Sequence, residues 1–134
     1  MSSIHAGNKI KFAIIPCAGT ATRMERIKMP KSLYPINGKP ALTHLLESLT
    51  DYFSYFYIPI ANKVDEEAIY RKAIPKELLS KILFLPSIPG SGDGQAVLDA
   101  LEIIDNKNNN YVMVCWGDSF IKDKSLIPLL INNI

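Results

Sequence analysis

A chain of 134 residues can form one domain with a substantial core, and a hydrophobic content of 48% excludes an intrinsically disordered protein. The formal net charge of +2 is too small to indicate a protein that binds nucleic acid or adsorbs to an anionic membrane surface. Apolar runs stay well short of the roughly 18 residues that a membrane span needs, and the first residues lack the apolar core of a secretory signal, so we expect a cytoplasmic protein.

The first half of the chain alternates between patterns typical of strands and of helices. The nearly continuous apolar run Lys9–Pro16 predicts a buried strand. Leucines at helical spacing predict a helix over Ala41–Tyr52. Residues 54–61 predict a second strand, and residues 65–74, which are acidic at their start, predict a short helix. Pro75 interrupts that helix, and one further helical turn is expected after it.

The second half continues the alternation. Residues 82–87 predict a third strand, and residues 89–94 form a glycine-rich loop. Residues 95–105 predict a helix, residues 111–116 a fourth buried strand, and a last helix is expected from Ser125. The inward face of the helix over residues 95–105 is expected to comprise Val97, Leu98, Leu101 and Ile104.

This alternation, without internal repeats or a linker, predicts a single α/β domain. A mostly parallel sheet with helices on both faces, a three-layer α/β/α sandwich, is the architecture that such a pattern favours. In such sheets ligands bind at the carboxyl ends of the strands. Three loops follow predicted strands there, at residues 17–30, 89–95 and 117–119. We therefore expect these loops to share one edge of the sheet and to form one site.

The first of these loops has the composition of an anion cradle. Its small residues expose backbone N–H groups with little steric cover, Arg23 offers a forked guanidinium, and Lys31 offers a point charge. The small residues are Ala18, Gly19, Thr20, Ala21 and Thr22. On spacing alone, a surface loop with solvated cations explains the pattern equally well. Neither a complete P-loop nor a complete G-x-G-x-x-G fingerprint occurs in the sequence.

Order and spacing of the motifs resemble the sugar-1-phosphate nucleotidylyltransferases. That family opens with A-G-x-G-[ST]-R-[ML], followed after a spacer by P-K, and this chain has AGTATRM at residues 18–24 and Pro30-Lys31. The stretch SGDGQAVLDAL, residues 91–101, resembles the family's G-T-x-x-A segment, which borders the nucleotide base. The strand-end pair Gly117-Asp118 resembles the family's Gly-Asp.

The resemblance implies a Rossmann-like fold of the nucleotide-diphospho-sugar transferase type and a reaction. A sugar-1-phosphate oxygen would attack the α-phosphorus of a nucleoside triphosphate and release pyrophosphate. By the same resemblance, Arg23 would neutralise the leaving pyrophosphate, Lys31 would hold the α-phosphate or the incoming phosphate, and Asp118 would bind Mg²⁺. The implied nucleotide-binding residues are Ala18, Gly19, Thr20, Ala21, Thr22, Gly92 and Asp93.

Two departures from the family pattern bear on activity. Ala21 replaces the second signature glycine, and the chain ends at Ile134 whereas family members are usually much longer. Residues 1–134 are therefore expected to be the N-terminal, nucleotide-binding part of such a domain: a fragment, a truncated form or a degenerate relative. We expect weak nucleotide binding and little transfer from these residues alone, and an open sheet edge that a homodimer could cover.

Two other functions fit the same sequence. Cytidylyltransferases that act on other phosphorylated alcohols have a similar A-G-x-G-x-R…P-K opening. A non-catalytic nucleotide-binding or assembly module could have kept the fold and lost the chemistry. Ala21 and the short length favour the module, while Arg23, Lys31 and Asp118 favour an enzyme.

Overall fold

The computed structural model describes residues 12–18, 29–88, 92–104, 112–117 and 125–132, and the structural findings below concern these residues. Their strands, in chain order, are β1 (Phe12–Ile14), β2 (Pro35–Ile36), β3 (Lys39–Pro40), β4 (Tyr55–Ala61), β5 (Ile82–Ser87) and β6 (Met113–Val114). Their α-helices are α1 (Ala41–Leu49), α2 (Glu66–Ala73), α3 (Lys76–Leu79), α4 (Asp93–Ile103) and α5 (Leu126–Asn132), and a 3₁₀ helix covers Lys31–Leu33.

The central sheet has the strand order β5-β4-β1-β6, and every pair in it is parallel. Strand β1 is flanked by β4, with Phe12 opposite Tyr55, and by β6, with Ala13 opposite Met113. The predicted parallel α/β sheet is thus confirmed. All four carboxyl ends point to one edge, which we call the carboxyl edge.

Helices cover both faces of this sheet, as predicted. Alternate residues of β1 enter different clusters: Ala13 lies in the larger one, and Phe12 and Ile14 lie in the smaller one. The larger cluster is built with α1, α2, α3 and α5, and the smaller one with α4. Period-two alternation along a strand that is buried on both sides therefore produces the three layers. Within the described ranges, no helix is long and apolar enough to cross a bilayer.

The leucine spacing in helix α1 places all four leucines on the buried face of the helix. Leu42, Leu45, Leu46 and Leu49 are all within 1% of complete burial and lie in the larger cluster. The helix ends at Leu49, three residues before the predicted end, and Lys81 donates to the carbonyl and hydroxyl oxygens of Thr50 at 3.2 and 2.8 Å. A cation at this end suits the negative end of the helix dipole and satisfies a carbonyl that the helix leaves unpaired.

Helix α4 contradicts one predicted contact. Leu98, expected to point inward, is 55% exposed, whereas Ala96 and Ala100 are fully buried and Ile104 is nearly so. The small side chains bring the helix close to the sheet, so the buried stripe runs through the alanines. The helix also begins at Asp93, two residues before the predicted start, and ends at Ile103.

Pro59 lies within β4, two residues before its end. A proline cannot donate a ladder hydrogen bond, so a central strand normally excludes it. Here Pro59 lies beyond the point where the ladder between β1 and β4 ends at Ile14, and its carbonyl still accepts a hydrogen bond from the Cys17 N–H at 2.7 Å. The lost donor therefore falls where regular pairing with β1 has stopped, while the pairing of Pro59 with Leu85 of β5 continues.

A two-residue hairpin between β2 and β3 was not predicted. Asn37 (φ 51°) and Gly38 (φ 81°) form its turn, and positive φ at both positions is the pattern of the Asn-Gly hairpin turn. The hairpin is fastened to α1 by a hydrogen bond between the His44 ring and the Ile36 carbonyl and by a 2.9 Å ion pair from Lys39 to Glu47. The Asn-Gly dipeptide was the sequence signal for it.

Candidate functional site

The strand order reverses direction between β1 and β6. The chain proceeds from β1 to β4 and β5 on one side and then crosses to β6 on the other. The carboxyl ends of β1 and β6 therefore lie at a switch point of the strand order, and such points are where open α/β sheets bind ligands. Ala18, the last described residue after β1, is buried here.

Gly117 lies directly against the end of β1. A β-carbon at Gly117 would overlap Cys17 Sγ and would lie 3.2 Å from Ser32 Cβ and 3.6 Å from the Pro16 carbonyl oxygen. The requirement for glycine is thus steric, because every other residue has a β-carbon, which would occupy the space that Cys17 Sγ already fills. The close approach brings the end of β6, the end of β1 and the 3₁₀ helix together at one point.

Lys31 begins the 3₁₀ helix at this point. Pro30 precedes it, and the turn is closed by hydrogen bonds from the Leu33 N–H to the Pro30 carbonyl at 2.9 Å and from the Tyr34 N–H to the Lys31 carbonyl at 3.1 Å. Lys31 is exposed, while Ser32 and Leu33 are both 5% exposed. The two residues after Lys31 are therefore anchored in the protein, and its ammonium group is left at the surface of the carboxyl edge.

The buried hydroxyl of Tyr70, on α2, forms a hydrogen bond with the segment that carries Lys31. Tyr70 is fully buried, and its Oη lies 2.8 Å from Ser32 Oγ. Burial is the main reason why the pKa of the Tyr70 hydroxyl is raised well above its ordinary value of 10.0. The phenol is thus a neutral hydrogen-bonding group at physiological pH.

Glu66 is the carboxylate that begins α2. Burial raises the pKa of Glu66 above its ordinary value, and the nearby charge of Lys63 opposes this effect. Both residues follow β4 and so belong to the carboxyl edge.

Gly92 caps α4 after β5. Its φ of 94° and ψ of 157° suit glycine, while a β-carbon there would meet nothing within 4 Å, so the requirement is conformational and not steric. Strand β5 is two positions from β1 in the sheet, a lateral distance of about 10 Å at the usual strand spacing. Gly92 and Lys31 flank the carboxyl edge on opposite faces, since α4 packs on one face and Leu33 on the other.

Four of the predicted site residues lie within the described ranges. Ala18 and Lys31 follow β1, and Gly92 and the backbone of Asp93 follow β5, so all four come after carboxyl ends of strands, with Lys31 next to Ser32, which adjoins Gly117 after β6. The other predicted residues are outside the described ranges: Gly19, Thr20, Ala21, Thr22, Arg23 and Asp118. Sequence reasoning missed Tyr70, Ser32 and Cys17 as a cluster, because nothing in their local patterns joins them.

The predicted magnesium ligand cannot be placed from these residues, because Asp118 is outside the described ranges. The part of the chain that the structure describes has no group of three or more histidine, cysteine, aspartate or glutamate side chains positioned to hold a metal ion. Mg²⁺ binding thus stays a prediction from sequence.

Comparison with known proteins gives matches over most of the chain. Residues 13–134 match the model of the MobA-like NTP transferase domain. The bifunctional protein GlmU of Methanocaldococcus jannaschii is 34% identical over 113 residues, which cover 83% of this chain and 26% of that protein. Its counterpart from Parvibaculum lavamentivorans is 34% identical over 108 residues, covering 80% and 23%. The chain thus spans about a quarter of the length of the curated relatives that it matches.

A solved structure supports the fold independently. The crystal structure of 4-diphosphocytidyl-2C-methyl-D-erythritol synthase from Anaerococcus prevotii superimposes with a TM-score of 0.66 at 20% sequence identity. The match covers 99% of this chain and 53% of that one. The order and direction of the described strands are therefore those of a known fold.

Proposed function

The chain belongs to the MobA-like NTP transferase domain family, and on that premise we propose that it binds a nucleoside triphosphate at the carboxyl edge for nucleotidyl transfer to a sugar 1-phosphate. The family membership agrees with the resemblance that the motifs carry. Identity to GlmU proteins favours a sugar 1-phosphate as acceptor over another phosphorylated alcohol, because those relatives match over 83% of the chain at 34% identity.

The observation that carries the proposal is the contact of Gly117 with Cys17 and Ser32. Cys17 precedes the Ala18–Thr22 segment, Ser32 follows Lys31, and Gly117 precedes Asp118, so the contact supports a shared site between the strands where the sheet order reverses. These three segments carry the family motifs, although they are far apart in the sequence. A phosphate chain needs a cation beside backbone N–H groups, and the composition of residues 18–22 together with Lys31 predicts this combination.

In the proposed reaction, a phosphate oxygen of the sugar 1-phosphate forms a bond to the α-phosphorus. The bond from the α-phosphorus to the bridging oxygen breaks, and pyrophosphate leaves with that electron pair. Such chemistry depends on in-line placement and charge neutralisation and not on a covalent catalyst. Lys31 would hold the α-phosphate or the incoming phosphate, and Arg23 would neutralise the leaving pyrophosphate.

The nucleotide itself would be held mainly by backbone groups. Ala18, Gly19, Thr20, Ala21 and Thr22 are proposed to face the phosphates and ribose, with Gly92 and Asp93 bordering the base. Gly92 begins α4 in the segment after β5, a different strand from the one that precedes residues 18–22, which suits a base at one end of the site and phosphates at the other. Asp118 is proposed to bind Mg²⁺, which prefers carboxylate and phosphate oxygen.

Location and assembly belong to the same proposal. Neither Cys17 nor Cys115 forms a disulfide, which suits a reducing compartment such as the cytoplasm. Among the described strands β5 pairs only with β4, and β6 pairs only with β1, so a homodimer is proposed to form at one of these two outer edges.

The direct test is nucleotide binding. Isothermal titration of the 134-residue chain with ATP, GTP, CTP and UTP, each with and without Mg²⁺, should give measurable affinity for at least one triphosphate that rises when Mg²⁺ is present. Failure of all four to bind would show that the proposed function is wrong.

A second assay separates the candidate reactions. Pyrophosphate release is followed with each triphosphate over a panel of sugar 1-phosphates and of other phosphorylated alcohols. Release with a sugar 1-phosphate supports the proposed reaction, while release only with another alcohol phosphate and CTP identifies a cytidylyltransferase. Binding without release is expected both of a nucleotide-binding module and of the N-terminal part of an enzyme. Release that returns when the downstream half is restored, where the gene encodes one, identifies the enzyme.

A further inference from the structure

We propose that Tyr70 is a positioning residue for Lys31, a role that rests on the proposed binding of a triphosphate at the carboxyl edge. Lys31 lies on the 3₁₀ helix, and Tyr70 lies on α2, which carries none of the family motifs. The link between them is the hydrogen bond from Tyr70 Oη to the side chain of Ser32, the residue that follows Lys31.

The Tyr70 hydroxyl is held in a fixed position. The residue is fully buried, and its ring packs against Phe84 with the ring centroids 5.7 Å apart. A tyrosine ring enclosed in this way has little rotational freedom, so its oxygen is a rigid point on the scaffold. Functional groups supported by such second contacts keep a more precise position than groups on an unsupported loop.

The segment that carries Lys31 needs this support. A 3₁₀ helix of three residues has few hydrogen bonds of poor geometry, so tertiary contacts must hold it. The contacts on its buried side are the Leu33 side chain in the larger cluster and the Ser32 hydroxyl on Tyr70. Removing the Tyr70 oxygen leaves Ser32 Oγ buried without this partner and loosens the origin of the Lys31 side chain.

The Ser32 side chain that Tyr70 holds also lies beside the end of β1. Gly117 fits against both Ser32 and Cys17, so the Lys31 turn meets the described segments after β1 and β6 at this point. The phenol oxygen therefore supports the Lys31 turn where these segments meet. A misplacement of about 1 Å in such a group is enough to weaken its interaction severely.

Nucleotide affinity tests the proposal through a double-mutant cycle. We compare Tyr70→Phe, which removes one oxygen, with Tyr57→Phe, which removes the equivalent oxygen from a half-buried ring on the other face of the sheet. With Mg²⁺ and the tightest-binding of ATP, GTP, CTP and UTP, Tyr70→Phe should weaken binding about 3- to 10-fold, the range expected for one neutral hydrogen bond. Tyr57→Phe should leave affinity unchanged.

If Tyr70 acts by positioning Lys31, the loss of nucleotide affinity in Tyr70→Phe depends on the Lys31 side chain. In a Lys31→Ala background, Tyr70→Phe should therefore cause no further loss of affinity, although it still lowers stability. Ser32→Ala removes the same hydrogen bond from the other side and should reproduce both results, including where Tyr70→Phe folds poorly. A loss of affinity that is equally large with and without Lys31 would overturn the positioning role.

Amide hydrogen exchange tests the same role without nucleotide. The Leu33 and Tyr34 N–H groups close the Lys31 turn, so their exchange should be at least about threefold faster in Tyr70→Phe and unchanged in Tyr57→Phe. Equal rates in Tyr70→Phe and the unaltered chain overturn the positioning role. Absence of binding by all four triphosphates overturns the proposed function instead, so the two failures are distinguishable.

Discussion

Gly117 leaves no room for a side chain beside Cys17, because a β-carbon at Gly117 would overlap the Cys17 sulfur. The two residues follow neighbouring parallel strands and are 100 positions apart in the sequence. Their contact brings together the described segments after β1 and β6, which lead into the proposed phosphate site.

We expect Gly117→Ala to lower the free energy of unfolding by about 1–3 kcal/mol, the usual effect of overpacking. Adding Cys17→Ala removes the sulfur that the new methyl group meets, so the double variant should be more stable than the sum of the two single effects implies, by about 1 kcal/mol or more. Urea denaturation measures all three variants. Gly94→Ala is the matched control, since a β-carbon there meets nothing within 4 Å and helix α4 accepts alanine well. Additive effects of Gly117→Ala and Cys17→Ala would contradict the steric account.

Lys31→Ala should weaken triphosphate binding by about 1–3 kcal/mol, the usual loss for a charge-assisted contact, and Arg23→Ala by at least as much. Lys76→Ala, which removes an exposed lysine from α3, is the control for the change in net charge. Titration calorimetry at two salt concentrations measures the effect, and the difference between Lys31→Ala and the unaltered chain should shrink at high salt. Equal affinities for the Lys31 and Lys76 variants would assign Lys31 to an ordinary solvated surface.

Stability should fall at alkaline pH partly because of Cys115. Burial raises the pKa of its thiol from 9.0 to about 11, so the unfolded chain releases the proton at a lower pH than the folded chain. The contribution is complete below pH 9 and is lost as the pH rises towards about 11. The free energy of unfolding is measured by urea denaturation at several pH values between about 8 and 10.5. It should decline less steeply with pH for Cys115→Ala than for the unaltered chain. Parallel declines would show that the thiol titrates alike in both states.

The hairpin turn supplies a prediction about backbone strain. Gly38 has a φ of 81°, so Gly38→Ala should lower stability by about 1–2 kcal/mol, the cost of a left-handed conformation for a residue with a β-carbon. Asn37→Gly keeps a residue that tolerates positive φ and should change stability by less than about 0.5 kcal/mol. Thermal unfolding measures both variants. An unchanged melting temperature for Gly38→Ala would mean that the turn relaxes to another conformation without loss.

Local sequence patterns were sufficient for most elements. The bounds of β5 are those that its apolar run predicts, and the leucines of α1 are buried as their spacing indicates. Such patterns succeed because the period of burial, two in strands and 3.6 in helices, is determined by the backbone of the element itself. The family motifs likewise identified Lys31 and Gly92 as residues of the carboxyl edge, since both follow strands of a parallel sheet.

Tertiary structure alone decided which residues meet. Nothing in the sequence around Tyr70 distinguishes it from another core aromatic, yet its hydroxyl reaches Ser32, 38 positions away, beneath Lys31. Leu98 was expected to be buried and is exposed, because the close approach of α4 through Ala96 and Ala100 rotates the helix away from the stripe that hydrophobicity alone suggests. The sequence thus determined the secondary-structure elements and the chemical groups available at one edge of the sheet. Strand order and close packing determined which side chains support those groups, because contacts between distant segments leave no periodic pattern in the chain.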